Sequence, residues 1–138
     1  MNPVIGTVHH VELWVPDLHR AAAEWGWLLA ELGHLPFQDW ANGRSWRLGA
    51  TYLVVEQSPA LTATEHDRQR PGLNHLAFHA GDRGNVDAFA DAAPANGWTL
   101  MFRHAPARRR RRSLRRLPTT LTTTKSSSSR TNHDQLNT

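Results

Sequence analysis

The sequence predicts an α+β domain built from a repeated strand-and-helix unit, and three observations carry that prediction. The stretch HHVELWVPD from His9 to Asp17 has the same pattern as NHLAFHAGD from Asn74 to Asp82, so that His10 falls on His75, Leu13 on Phe78 and Asp17 on Asp82. Each copy runs from a histidine through an alternating segment to an aspartate. It then opens into a helix-like stretch closed by a glycine, Gly33 in one case and Gly97 in the other. The alternation also has the same parity in both copies. On a strand, successive side chains point to opposite faces, so His10, Glu12 and Trp14 share one face while Val11, Leu13 and Val15 share the other. In the second copy His75, Ala77 and His79 lie together, opposite Leu76, Phe78 and Ala80. Two histidines at equivalent positions, each facing away from its helix, point to one shared concave site.

Taken in order, residues 5–15 alternate as a strand, and Pro16-Asp17 ends it with Asp17 as a helix N-cap. From Leu18 to Leu32 the residues Ala22, Trp25, Leu28, Leu29 and Leu32 recur at helical spacing, and Gly33 supplies a left-handed stop. Leu35–Trp40 reads as a short strand, Ala41-Asn42-Gly43 as a turn and Arg44–Leu48 as a further extended run that Gly49 breaks. Thr51–Glu56 (TYLVVE) is the strongest strand by composition. Residues 1–57 thus form a first βαβββ module. Residues 58–72, polar with two prolines, read as a linker. A partial second module follows over 73–103: a strand from Leu73 to Ala80, a helix from Asp82 to Asn96 whose last turn Pro94 disturbs, and a strand from Trp98 to Phe102. Two more strands would complete the repeat. Instead, residues 104–138 are an Arg/Thr/Ser-rich tail with the composition of disorder. A frameshift near residue 103 in a gene rich in G and C is one explanation of that change, and a shifted frame closed by stop codons rules it out.

With 138 residues and 39% hydrophobic content the chain has room for one ordinary domain. It has no apolar run of about 18 residues and no charged-then-apolar leader, so a cytoplasmic protein without a membrane partner is expected. The absence of cysteine excludes disulfides and thiolate metal sites, and any metal must be held by His, Asp, Glu, backbone or water. Charge is divided along the chain. Residues 1–101 carry six Lys or Arg against eleven Asp or Glu, whereas residues 102–138 carry ten against one. The high isoelectric point belongs to the tail, and no specific nucleic-acid partner is inferred from it. The run from Arg108 to Arg112 predicts salt-sensitive, sequence-independent retention on heparin. Deleting residues 104–138 should abolish that retention, and unchanged elution of the shortened chain would refute it.

The stretches HHVELWVPDL, TYLVVEQSP and GLNHLAFHAGD, with the tryptophan-rich helix between the first two, resemble the vicinal oxygen chelate superfamily of glyoxalases, bleomycin resistance proteins and extradiol dioxygenases, over residues 5 to 102. The resemblance implies paired βαβββ modules closing into a cup-shaped mixed sheet around a divalent metal, Fe, Mn, Ni or Zn. It puts metal-ligating histidines at His10 and His75 and a carboxylate near Glu56. A one-residue shift there would bring Val55 inward instead. The family's last carboxylate belongs beyond Phe102, where this sequence offers no equivalent. Two histidines and one carboxylate leave positions open for substrate oxygens, and the metal would act as a Lewis acid. Glu56 and Glu12 both suit the role of ligand or general base, and the sequence does not choose between them.

Plainer roles stand beside these. A single strand histidine is commonly structural, and it is the repetition at His75 that marks His10. His9 faces the other way. Trp14 and Tyr52 have the parity to line the cup and touch substrate, and Arg47 and His79 are substrate-binding candidates whose ordinary alternative is the surface. Trp25 sits at a core spacing. Glu12 is an inward carboxylate or an exposed sheet edge. The first functional expectation is a metal-dependent enzyme that grips a small molecule through two oxygens, of the lyase, isomerase or ring-cleaving dioxygenase kind. The others are a metal-free protein that sequesters a drug, and an inactive truncated product. A homodimer is implied by the resemblance alone.

Overall fold

The computed structural model describes residues 2–100 and 120–123. Its elements are β1 (His10–Trp14), α1 (Leu18–Glu31), β2 (Leu35–Trp40), β3 (Gly43–Leu48), β4 (Thr51–Glu56), β5 (Leu76–His79), α2 (Arg83–Ala92), a 3-10 turn (Pro94–Asn96) and β6 (Thr120–Thr123). The first four strands form a curved mixed sheet in the order β1-β4-β3-β2, with β1 parallel to β4 and the other pairs antiparallel. A parallel partner for β1 requires a long crossover, which α1 and the β2–β3 hairpin supply.

β1 is shorter than expected. It begins at His10, because Thr7 turns the chain back on itself, donating from both its N–H and its hydroxyl to the Val4 carbonyl. The Asp17 side chain accepts from the Arg20 N–H at 3.0 Å, which satisfies one of the open donors at the start of α1. The helix then lays Ala21, Trp25, Leu28 and Leu29 onto the inner face of the sheet, where Trp46, Leu53 and Val55 meet them. Leu29 and Val55 are completely buried. Trp46 packs over Gly26, where an added Cβ would lie 3.3 Å from the indole, so the small residue lets helix and sheet approach closely.

The second unit departs further from expectation. β5 starts at Leu76, which leaves His75 in the exposed turn ahead of the strand. Leu76 and Phe78 pack against the core and Ala80 is buried, as the alternation requires. Asp82 caps α2 by accepting from the Asn85 N–H, and Pro94 ends the α-helical ladder by opening a 3-10 turn. Gly97 closes that turn at φ 83°. A Cβ there would lie 2.6 Å from a Glu24 carboxyl oxygen, so the turn seats tightly on α1.

The strand expected at 98–102 is not formed over residues 98–100, and residues 101 and 102 lie outside the described residues. Trp98 is drawn into the core instead. Its ring meets Trp25 edge-on at 4.9 Å and 83°, and its indole N–H donates to the Glu24 carbonyl at 3.1 Å. Residues 104–138, expected to be disordered, contribute β6 at Thr120–Thr123, which pairs antiparallel with β5. The remainder of that segment lies outside the described residues.

Candidate functional site

The pairing of β1, β4 and β3 decides which side chains share the sheet face turned away from α1. Opposite residues are His10 and Tyr52, Glu12 and Val54, and Trp14 and Glu56 between β1 and β4. Across β4 and β3 they are Tyr52 and Arg47, Val54 and Ser45, and Glu56 and Gly43. Paired residues lie on the same face. Glu56 therefore shares this open face with Glu12, whereas Val55 faces the helix.

One end of the face carries a row of planar groups. The His10 ring stacks on Tyr52 at 5.0 Å and 7°, and Phe37 meets the other side of the row 5.3 Å from Tyr52. The Arg47 guanidinium lies over Phe37 at 5.0 Å, within cation–π range. His9 completes it, 5.3 Å from Tyr52 and with its Nδ1 2.8 Å from that of His10, so one imidazole donates and the other accepts. This corrects the expectation that His9 faces the other way: it precedes the strand, and the turn at residues 5–7 frees it from the alternation. Arg47 is engaged with Phe37 and donates from Nε to the Gly49 carbonyl at 2.8 Å. Phe37 was not foreseen. It sits where the β2–β3 register shifts between Pro36 and Asp39, and such an irregularity breaks the period-two signal.

The other end of the face is acidic. The Trp14 indole donates to Glu12 at 3.0 Å, and the Glu12 and Glu56 carboxyls are hydrogen-bonded to each other. The Trp14 hydrogen bond, followed by that from Glu56 and the charge of nearby His10, holds the Glu12 carboxyl below the ordinary 4.5. Its bond to Glu12 pushes Glu56 above 4.5, with desolvation and the Glu12 charge adding to the shift. Glu12 thus ionises first and Glu56 keeps the shared proton. The lowered Glu12 contributes stability that is lost as pH falls through its folded value, and the raised Glu56 contributes stability lost as pH rises through its own. The two shifts therefore act on the pH dependence of stability in opposite directions. Glu12→Gln should bring the Glu56 titration back toward the ordinary value in carboxyl NMR, and an unmoved Glu56 would show the two to be independent.

His75 lies apart from this row. It is exposed, with its Nδ1 2.9 Å from the Asn74 side-chain oxygen. His79 is exposed at the far end of β5, opposite Thr120. Among the described residues no group of three or more His, Asp and Glu is placed to hold a metal ion, so His10, His75 and Glu56 are not gathered into one ligand set. The physical reason on the second unit's side is that His75 falls outside β5, so no register fixes its ring.

His75 instead helps to line a cleft of about 470 Å³ that runs along β1, between the N-terminal half of α1 and residues 61–66 and 73–76. Glu24 forms part of its wall, 7% exposed and paired with Arg20 at 3.0 Å one helical turn away. Neither was foreseen as a site residue. The Arg20 and Glu24 spacing was the available signal, and on a helix surface it is too common to mark a cleft.

Comparison with known proteins agrees with the fold. The sequence profile of the Glyoxalase/Bleomycin resistance protein/Dioxygenase superfamily matches residues 9–114. The uncharacterized protein YqjT of Bacillus subtilis (strain 168) is 41% identical over 97 residues, covering 70% of this chain and 76% of that protein. A crystal structure from Bacillus halodurans, named as a candidate glyoxalase, superposes with a TM-score of 0.67 at 40% identity, covering 71% of this chain and 74% of that one. A glyoxalase/bleomycin resistance protein from Albidiferax ferrireducens T118 superposes with a TM-score of 0.54 at 25% identity, covering 72% of this chain and 79% of that one.

Proposed function

The chain belongs to the glyoxalase/bleomycin resistance protein/dioxygenase superfamily, and from that premise we propose that it binds a small planar molecule on the open face of the sheet β1-β4-β3-β2. The observation that carries this reading is the row His10, Tyr52, Phe37 and Arg47, which presents aromatic and cationic planes along one line. A planar ligand laid against such a row gains roughly 0.5–1.5 kcal/mol per ring contact beyond the area it buries. At the acidic end, the Glu12 and Glu56 carboxyls offer acceptors to a polar group of the ligand. Trp14, half exposed beside Glu12, adds a further apolar surface. Sequestration of a drug-like compound without metal is the activity this arrangement fits. Action as a homodimer is carried by the resemblance alone, and a cytoplasmic setting by the sequence reading. No described helix is long and apolar enough to cross a membrane.

A second reading is a metal-dependent lyase, isomerase or dioxygenase with His10, His75 and Glu56 as ligands. The observation in its favour is that His10, Glu12 and Glu56 share one sheet face. Such an ion would polarise substrate oxygens, and Glu12 would hold or accept a proton beside Glu56.

One pair of measurements separates the two readings. Thermal-shift screening with planar aromatic compounds should give ligands whose stabilisation is lost in Tyr52→Ala, and ligands retained by that variant would sink the first reading. Metal content of the purified protein should equal that of a His10→Ala, His75→Ala double variant, and a loss in the double variant would favour the second.

A further inference from the structure

The outer edge of β1 carries no partner strand among the described residues. Tyr52 N–H donates to the His9 carbonyl at 3.2 Å, and Val15 N–H donates to the Glu56 carbonyl at 2.8 Å. In a parallel pair, alternate residues of a strand turn both backbone groups toward the same neighbour. The odd-numbered residues of β1 therefore serve β4, and the N–H and C=O of Glu12 and Trp14 point the opposite way. On that side β1 is the edge of its sheet, with no strand beside it among the described residues. The cleft of about 470 Å³ opens along this edge. Residues of both parities, from Glu12 to Val15, line it, as expected where a strand presents its side rather than a face.

The surroundings of the edge are strongly one-signed. Glu12, Asp17, Glu24 and Glu65 line the cleft, against the single guanidinium of Arg20. The Trp14 indole, half exposed, stands at the same edge, and Leu73 and Leu76 form an apolar part of the opposite wall. We propose that this cleft takes an extended, basic peptide segment of a partner protein, which adds to β1 as a strand. The backbone groups of Glu12 and Trp14 hold its main chain, as in other cases of strand addition. Four residues of β1 span about 13 Å, enough to pair with three or four residues of the peptide. Successive side chains of an added strand point to opposite faces. One set lies on the face away from α1, beside the Glu12 carboxylate and the Trp14 ring, where Lys or Arg gains both charge and cation–π attraction. The other set meets Leu73 and Leu76. The preferred segment thus alternates basic and apolar residues.

The test uses the full chain and a fluorescein-labelled hexapeptide of alternating Lys and Val, blocked at both ends, followed by anisotropy. A second peptide of the same sequence carries N-methyl groups at alternate amides, which removes donors and leaves charge and apolar surface nearly unchanged. The unmodified peptide should bind about tenfold more tightly or better, the difference expected from two lost backbone hydrogen bonds. Trp14→Leu removes the ring alone and Trp14→Pro removes the ring and an edge N–H, both leaving the β1–β4 ladder intact, and the proline variant should bind more weakly than the leucine variant by a similar factor. Equal binding of the two peptides overturns the proposal, because attraction would then be charge alone. So does failure of the unmodified peptide to bind, or its exclusion by a stable pairing of β1 with a second copy of this chain. Should Trp14→Pro not fold, the two peptides on the native chain still decide the matter.

Discussion

Trp98→Ala should destabilise the folded chain by about 3–5 kcal/mol, the range for removing a large buried aromatic side chain. Total stability for a domain of this size is roughly 5–15 kcal/mol, so the variant should stand at the margin of folding. The effect has three sources. Trp98 is 7% exposed, so nearly all of its surface is withdrawn from water. Its edge-on contact with Trp25 at 4.9 Å would be lost, and Trp25 is itself a core residue of α1. The bond from its indole N–H to the Glu24 carbonyl would go as well. Trp98→Phe keeps most of the area and loses the bond, so it should recover more than half of the loss. Urea unfolding of the three proteins measures this. A Trp98→Ala variant within about 1 kcal/mol of the parent would mean that the second unit does not lean on α1 through this ring.

The second large effect concerns two neighbours on β4. Val55→Glu should abolish folding, because Val55 is completely buried against α1 and a carboxylate there has no partner. We expect a cost of about 4 kcal/mol or more. Glu56→Val, one residue along, should leave the thermal melt essentially unchanged and remove the raised carboxyl titration at the same time. The contrast reads out the face assignment of the whole strand, since period-two geometry moves every β4 side chain together. Tolerance of Val55→Glu with collapse of Glu56→Val would reverse it, and the row of rings and the acidic pair would then no longer share a face.

These two predictions also mark how far the chain could be read before folding. Within the first module the order and nearly the bounds of β1, α1, β2, β3 and β4 are legible from the residues, because each is specified by its own periodicity and by local signals such as the Asp17 cap and the Asn42-Gly43 turn. The sequence likewise determined that His10, Glu12 and Trp14 share a face of β1 opposite Val11 and Leu13, which needs only the pleat. Membership of the superfamily was legible in the same stretches. Other features waited for tertiary structure. That Glu56 rather than Val55 joins Glu12 was decided by the parallel register of β1 on β4, a pairing between segments some forty residues apart. That Phe37 and His9 join the ring row was decided by a bulge and a turn, both of which interrupt alternation. His75 lay outside its strand and Trp98 inside the core because β5 and the 3-10 turn settle against α1, a choice made by packing. Local rules act on neighbours in the chain and can be read one segment at a time. Register, bulges and burial minimise the free energy of contacts between distant segments, and no single segment carries that information.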